Sequence, residues 1–218
     1  MSLRNAYLLI FLVLIVDQFS KIYIKTNFIH GDEVRVFSWF RILFIENEGM
    51  AWGTKIPGAY GKLILTVFRL LAVVGIGYWL WTAVKAHSSR YLVVAIALIF
   101  AGALGNIIDS VFYGVIFSSS HGQLAEMMPQ HAYGTWFHGK VVDMLYFPII
   151  ENYQLPSWVP IWGGEKITFF NAIFNIADTA ISVGVGILIV FNKKAFHKKE
   201  TSEDTIVTTH ETSAPANE

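Results

Sequence analysis

The stretch from 91 to 112 reads YLVVAIALIFAGALGNIIDSVF. A helix needs about 20 predominantly apolar residues to cross the hydrocarbon of a bilayer, and this stretch meets that requirement. Its polar residues fall near one end, where Asn106 and Asp109 lie three positions apart and therefore on one helix face. The stretch predicts a transmembrane helix, and ionisable groups inside such a helix are by default a sign of function.

Three further stretches predict membrane spans, at 5–24, 63–84 and 168–191. Of the 218 residues, 54% are hydrophobic and 15% charged, against roughly 25% charged in an average globular domain. The 16 basic and 16 acidic residues balance, which gives no indication of a nucleic-acid partner. We therefore expect an all-α polytopic membrane protein with four transmembrane helices.

Basic residues near the ends of the spans predict the orientation of the chain. They cluster before the first span, between the second and third, and after the fourth, at Arg4, Lys85, Arg90, Lys193, Lys194, Lys198 and Lys199. Both termini are therefore predicted to be cytoplasmic, with the long connections 25–62 and 113–167 outside. Residues 1–192 would form the membrane domain. Residues 193–218, rich in Thr, Ser and Glu, predict a disordered cytoplasmic tail.

The outer connections carry structure of their own. Residues 34–46, VRVFSWFRILFIE, are β-branched and aromatic, which predicts strands or a hairpin near the membrane surface within an outer β segment, 34–53. The connection 113–167 is too long for a plain linker, and it predicts an outer loop that is either ordered for function or mobile.

Polar residues recur at one depth in three of the spans. Asp17 and Lys21 lie four apart, a spacing that allows an ion pair and is equally explained by a purely structural role. In the fourth span the polar residues follow one helix face: Asn171, Asn175, Asp178 and Ser182. At 1.5 Å per residue, Asp17, Asn106 and Asp178 each lie roughly 10 Å below the outer surface. A common depth predicts a shared site.

The chemistry of that site must come from carboxylates. The chain has no cysteine, no Ser-x-x-Lys, Gly-x-Ser-x-Gly or HExxH motif, and no histidine spacing suited to a metal. Two aspartates that share a site do not both ionise readily, so that one acts as a base and the other as an acid toward an amide bond. Asp178 and Asp143, the latter in the outer loop, could form such a pair. Spacing alone leaves open whether Asp143 takes part.

Two other classes of protein fit the spacing as well. A small proton-coupled transporter or channel could use Asp178, Asp109 and Asp17 as a proton relay. A structural membrane adaptor could use the polar face only to pack its helices.

Five sequence blocks in this order resemble the lipoprotein signal peptidase family, the type II signal peptidases of bacteria. The resemblance covers residues 5–192. The blocks are VDQFSK (16–21), NEGMAWG (47–53), GNIID (105–109), VVD (141–143) and FNIAD (174–178).

The resemblance implies an intramembrane aspartic endopeptidase of the bacterial inner membrane. Its substrates would be diacylglyceryl-modified prolipoproteins, cut just before the lipidated lipobox cysteine, and it would work as a monomer among membrane lipids without a metal or cofactor. The catalytic dyad would be Asp143 and Asp178. An outer β-cradle and an outer loop that closes over the substrate would surround the dyad.

The remaining motif positions carry over as supporting residues. Those implied to bind substrate or support the dyad are Asn47, Gly49, Asn106, Asp109, Asn175 and Ala177. Those implied to be structural are Asp17, Lys21, Gly53 and Gly105. The third-helix motif usually ends in arginine, and this chain has Ser110 there. Lys140 is one outer cation that could replace that arginine.

Overall fold

A computed structural model describes residues 1–48, 60–169 and 172–196. Within these ranges four apolar helices occur: α1 (Leu3–Asn27), α2 (Gly61–Lys85), α3 (Arg90–Ile108) and α4 (Ile176–Val190). Three of them, α1, α2, and α3 with its continuation to Ile116, are long and apolar enough to cross a membrane. The 15 residues of α4 make about 22 Å of helix, less than a hydrocarbon layer of about 30 Å.

The fourth predicted span, 168–191, was wrong at its outer end. Its first residues are extended, and α4 begins only at Ile176. Asn175 caps the helix, its side-chain oxygen accepting from the Asp178 N–H at 2.9 Å, so the polar face of the predicted helix is in part a helix cap. Asn171 lies outside the described residues. The period of apolar residues does not distinguish a buried strand that leads into a helix from the helix itself.

The C-terminal end of α3 changes its winding. Residues Asp109–Tyr113 form a π-helical turn, followed by one α-helical turn, Gly114–Ile116. The Ser110 carbonyl accepts from the Gly139 N–H at 2.9 Å, and the Val111 carbonyl accepts from the Phe137 N–H at 3.1 Å. The wider turn therefore docks the outer connection onto α3 through backbone hydrogen bonds.

Two small antiparallel sheets lie mainly in the two long connections that were predicted to face outward. The first has the strand order β1 (Glu33–Phe37), β2 (Phe40–Asn47), β3 (Val141–Tyr146) and β6 (Ile173–Phe174). The second pairs β4 (Ile150–Gln154) with β5 (Lys166–Phe169). The hairpin predicted within 34–46 is confirmed by the β1–β2 pairing. The rest of the predicted β segment, from 49 to 53, lies outside the described residues.

The fold is mixed helix and sheet, which corrects the all-α expectation. Asp143, predicted on a loop, lies in the middle of β3. The first four of the six residues of this strand are all buried. A strand that is covered on both faces lacks the alternation of apolar and polar residues by which sequence reveals a half-buried strand.

One end of the bundle gathers the segments that were predicted to be cytoplasmic. A short helix, α5 (Asn192–Phe196), follows α4, so residues 193–196 of the predicted tail are helical, and 197–218 lie outside the described residues. The Ser89 hydroxyl donates to the Ala195 carbonyl at 2.8 Å. Met1 packs against the same apolar cluster as Ala195.

Glycine allows α3 and α4 to approach closely, and Gly102 is the tightest point. A Cβ atom there would lie 2.2 Å from the Ala177 carbonyl oxygen and 2.7 Å from Ile181 Cγ1. Gly102→Ala should therefore lower the free energy of unfolding by about 1–3 kcal/mol, the usual cost of overpacking, as measured by the thermal midpoint in detergent. Gly75→Ala is the matched control on α2, because nothing lies within 4 Å of its Cβ position. Equal midpoints for the two variants would contradict the prediction.

Candidate active site

Strand pairing brings Asp143 and Asp178 to one place. In the β3–β6 ladder Leu145 pairs with Phe174. Asp143 lies on β3, two residues before Leu145, and Asp178 lies in the first turn of α4, four residues after Phe174. Asn175 bridges the two: its Nδ2 donates to Asp143 Oδ1 at 2.8 Å, and its Oδ1 accepts from the Asp178 N–H at 2.9 Å.

Asp143 is buried and held by two amides. Its Oδ2 accepts from Asn47 Nδ2 at 2.8 Å, and its Oδ1 accepts from Asn175 Nδ2. The side chain is 3% exposed. Burial and the neighbouring Asp178 raise the pKa of the Asp143 carboxyl to about 7, against the lowering effect of the two amide donors. The site therefore holds a carboxyl group that takes up or releases a proton near neutral pH.

Asp178 is half-buried, and Asn106 orients it. Asn106 Nδ2 donates to Asp178 Oδ1 at 2.7 Å, while Asn106 Oδ1 accepts from Lys21 Nζ at 2.9 Å. Because an ammonium can only donate, the amide oxygen of Asn106 must face Lys21 and its NH2 must face Asp178. Asp178 Oδ2 accepts no hydrogen bond from any residue within the described ranges.

A fully buried ion cluster lies beneath the two aspartates. Lys21 Nζ lies 2.9 Å from Asp17 Oδ2 and 2.8 Å from Asp109 Oδ2, and all three side chains are 0% exposed. The pair predicted from the i, i+4 spacing of Asp17 and Lys21 is therefore real, and Asp109 completes it. Gln18, which the sequence did not single out, donates to both acids at 3.0 and 2.9 Å.

The same two acids also fix the backbone that carries the aspartates. Asp17 Oδ1 accepts from the Ala177 N–H at 2.8 Å, at the start of α4. Asp109 Oδ2 accepts from the Val142 N–H at 3.3 Å, beside Asp143 on β3. Gly105 leaves room for Asp17, since a Cβ there would lie 2.7 Å from Asp17 Oδ2. The cluster thus ties α1 and α3 to the two elements of the site.

A second buried cluster lies one turn farther out on α1. Lys25 Nζ pairs with Glu46, next to Asn47, and donates to Ser120 Oγ at 2.9 Å. It also lies 4.8 Å from the centre of the Tyr133 ring. Burial opposes ionisation of Glu46, but Lys25, Ser120 and Lys140 together outweigh it and lower the pKa of Glu46 below its usual value. These contacts fasten the outer connection to α1 and β2.

Several predicted residues fall elsewhere. Gly49 and Gly53 lie outside the described residues. Lys140 Nζ lies 3.5 Å from Glu46 Oε2, so its ion pair is with the outer cluster and not with the aspartates. Ser110 is buried, and its hydroxyl donates to the Asn106 carbonyl at 2.9 Å.

Sequence reasoning missed Arg69 of α2, which interacts electrostatically with Asp178 and Asp143. A usable signal existed, since Arg69 is the only charged residue in the predicted span 63–84 and a charge inside a span is informative. Across the described residues no group of three or more His, Asp or Glu side chains has an arrangement that could hold a metal ion.

Comparisons with known proteins agree with this architecture. A sequence model of the signal peptidase (SPase) II family matches residues 9–193. The lipoprotein signal peptidase of Porphyromonas gingivalis is 48% identical over 187 residues, which cover 84% of this chain and 80% of the relative. That of Amoebophilus asiaticus is 36% identical over 188 residues, which cover 84% and 75%. A solved structure described as a bacterial membrane enzyme, obtained by the in meso method, has a TM-score of 0.60 at 26% identity and covers 91% of this chain and 94% of that one.

Apolar helices long enough to span a bilayer, a small sheet and a buried polar site define the class as a membrane enzyme. The chain belongs to the signal peptidase II family, the lipoprotein signal peptidases, which cleave signal peptides from prolipoproteins. The family predicted from the five sequence blocks is thereby confirmed.

Proposed function

We propose that this peptidase is of the aspartic type, with Asp143 and Asp178 as its catalytic dyad. One observation carries the proposal: Asn175 bridges Asp143 and Asp178, and burial, reinforced by the charge of Asp178, raises the pKa of Asp143 to about 7. Two carboxyl groups that share a buried site do not both ionise readily, so the pair holds one proton near neutral pH. A base and an acid are then available together near neutral pH.

The reaction follows from that protonation state. The ionised carboxylate takes a proton from a water molecule, and the water oxygen bonds to the carbonyl carbon of the scissile amide. The tetrahedral intermediate collapses as the C–N bond breaks, and the protonated carboxyl group of the dyad gives its proton to the departing nitrogen. The products are a carboxylic acid and a free amine, and the dyad again holds one proton.

Water has one favoured position in this scheme. Both oxygens of Asp143 accept hydrogen bonds from amides, whereas Asp178 uses only Oδ1 among the described residues. Asp178 Oδ2 is therefore the acceptor that we assign to the attacking water. Asn47, Asn106 and Asn175 hold the two carboxyl groups in orientation, and Asp17, Lys21, Asp109, Ala177 and Gly105 support them from below. For Gly49 and Gly53 the proposal rests on the motif alone.

The substrate that we propose is a prolipoprotein whose lipobox cysteine already carries diacylglycerol, cut just before that cysteine. Its acyl chains and signal helix would hold the peptide bond at the outer leaflet of the inner membrane. Support comes from the position of Asp178 in the first turn of α4, at the end of the bundle opposite to Met1 and Ala195, which we propose to be cytoplasmic. We also propose that the protein works as a monomer.

The proposal is tested with the purified protein in detergent and a synthetic prolipoprotein peptide, with and without diacylglyceryl on its cysteine. Mass spectrometry of the products should locate the new amine on the lipidated cysteine. Cleavage at another bond, or equal cleavage of the unmodified peptide, would contradict the proposed specificity.

The pH dependence of cleavage should follow the raised pKa of Asp143. As the pH rises through about 7, the value to which the pKa of Asp143 is raised, the dyad loses its last proton and with it the acid for the leaving nitrogen. We expect kcat/KM to fall about tenfold per pH unit on that alkaline side. Initial rates between pH 5 and 9 check this, and a rate that keeps rising to pH 9 would contradict it.

A further inference from the structure

Arg69 is a charged residue of α2 that the mechanism above does not use. It lies three residues after Thr66 and four before Val73, both buried against the bundle, so the three share one helix face. Thr66 donates to the outer connection at the Phe137 carbonyl, 3.1 Å away, and Val73 packs against α3. Arg69 is half-buried between these two anchors.

The Arg69 guanidinium is near enough to the dyad to interact electrostatically with both carboxyl groups, but neither of them binds it. Its two electrostatic partners are Asp178 and Asp143. Within residues 1–48, 60–169 and 172–196, however, no side chain or carbonyl forms a hydrogen bond or an ion pair with it. A guanidinium has five N–H donors, and none of those of Arg69 is used by a described residue. Such a group is suited to an acceptor that arrives with a ligand.

The local charge indicates what kind of acceptor this is. A dyad with one shared proton carries one negative charge, which the Arg69 cation balances, so the site has no net attraction for an anion such as phosphate. A neutral but polar acceptor fits better, and a peptide substrate brings main-chain carbonyl groups. The carbonyl under attack becomes negatively charged in the transition state, where a fixed cation stabilises it most.

We propose that Arg69 binds the carbonyl oxygen of the scissile peptide bond and stabilises the oxyanion that forms there. Arg69 keeps its protons throughout and only donates hydrogen bonds, while the dyad moves the proton from water to the leaving nitrogen. This role rests on the aspartic mechanism proposed above.

The test compares Arg69→Gln and Arg69→Lys with wild type, using purified protein and the diacylglyceryl peptide. Loss of one oxyanion donor typically lowers kcat by about 10²–10³, so we expect that loss for Arg69→Gln with KM changed less than threefold. Arg69→Lys keeps the charge and should lose less. Arg69→Gln should also raise the pKa of Asp143 and move the alkaline limb of the pH profile upward. The control is Lys85→Gln, an exposed cation of the same helix.

The outcomes separate this role from a structural one and from the dyad. If Arg69→Gln keeps kcat within threefold of wild type while Asp178→Asn is inactive, the role of Arg69 is overturned and the dyad stands. If both Arg69 variants lose kcat equally, with an unmoved pH profile, Arg69 acts through the fold and the proposal is also overturned. If Asp178→Asn is active, the aspartic mechanism itself fails.

Discussion

Asp178→Asn should reduce prolipoprotein cleavage by at least about 10³-fold, since loss of a general acid–base group typically costs 10²–10⁴-fold and here the same group also binds the water. The change is nearly isosteric. The amide oxygen of the new side chain can still accept from Asn106 Nδ2, which lies 2.7 Å from Asp178 Oδ1, and the new NH2 replaces the oxygen that no described residue contacts. The fold should therefore persist while the base is lost.

Asp143→Asn should abolish cleavage as well, and should destabilise the protein by about 1–3 kcal/mol, the usual cost of leaving a buried donor unsatisfied. Both oxygens of Asp143 accept from amide donors, so the asparagine must turn its NH2 toward one of them. Cleavage of the diacylglyceryl peptide by each variant is the measurement, and Glu165→Gln, which alters an exposed acid, is the control. A variant of either aspartate that keeps more than a tenth of wild-type kcat would refute the dyad.

Lys21→Met should destabilise the protein by about 3–5 kcal/mol, the usual cost of removing one partner from a buried ion pair. Lys21 lies within 2.9 Å of Asp17 and 2.8 Å of Asp109, and without it two buried carboxylates face each other. Asn106 would also lose the donor to its Oδ1, 2.9 Å away, and so the constraint that turns its NH2 toward Asp178. We expect activity to fall together with stability.

A double-mutant cycle isolates the charge effect of Lys21. Asp109→Asn removes one of the two carboxylates, so Lys21→Met should cost less in that background, with a coupling energy of about 1–3 kcal/mol. Free energies of unfolding in mixed detergent give the four corners of the cycle. Lys85→Met, at an exposed position beside Trp81, should change stability by less than about 1 kcal/mol. Additive losses for Lys21 and Asp109 would show that the two side chains do not interact.

The helices of this fold were predictable because a bilayer imposes a simple length and polarity rule. The first three spans are present as helices, each a few residues longer than predicted when the continuation of α3 to Ile116 is included. The fourth was misjudged because a strand that is buried in protein is as apolar as a helix, and only the cap at Asn175 marks where one becomes the other. The π-helical turn after Ile108 has no signal in the sequence at all.

The site was predictable where its residues lie on helices and obscure where they do not. Asn106, Asp109, Asp17 and Lys21 share one depth, which the rise per residue gives directly, and they do meet. Asp143 is brought to them by the pairing of β2 with β3, in which it lies opposite Ile45. No local pattern encodes that pairing, and only the sequence motif pointed to Asp143. The guanidinium that interacts with the two aspartates comes from α2. The other polar residues of that helix gave no reason to place it beside the site.

The late start of α4 has an electrical consequence. The peptide dipoles of a helix add up to a partial positive charge of about half a unit at its first turn, and Asp178 is the third residue of α4, three after the cap at Asn175. Asp143 lies on β3, where alternating strand dipoles nearly cancel. Had the helix begun at 168, as its composition suggested, Asp178 would lie nearly three turns inside it, away from the partial positive charge of the first turn. Two chemically identical side chains are thus made unequal by the secondary structure that carries them.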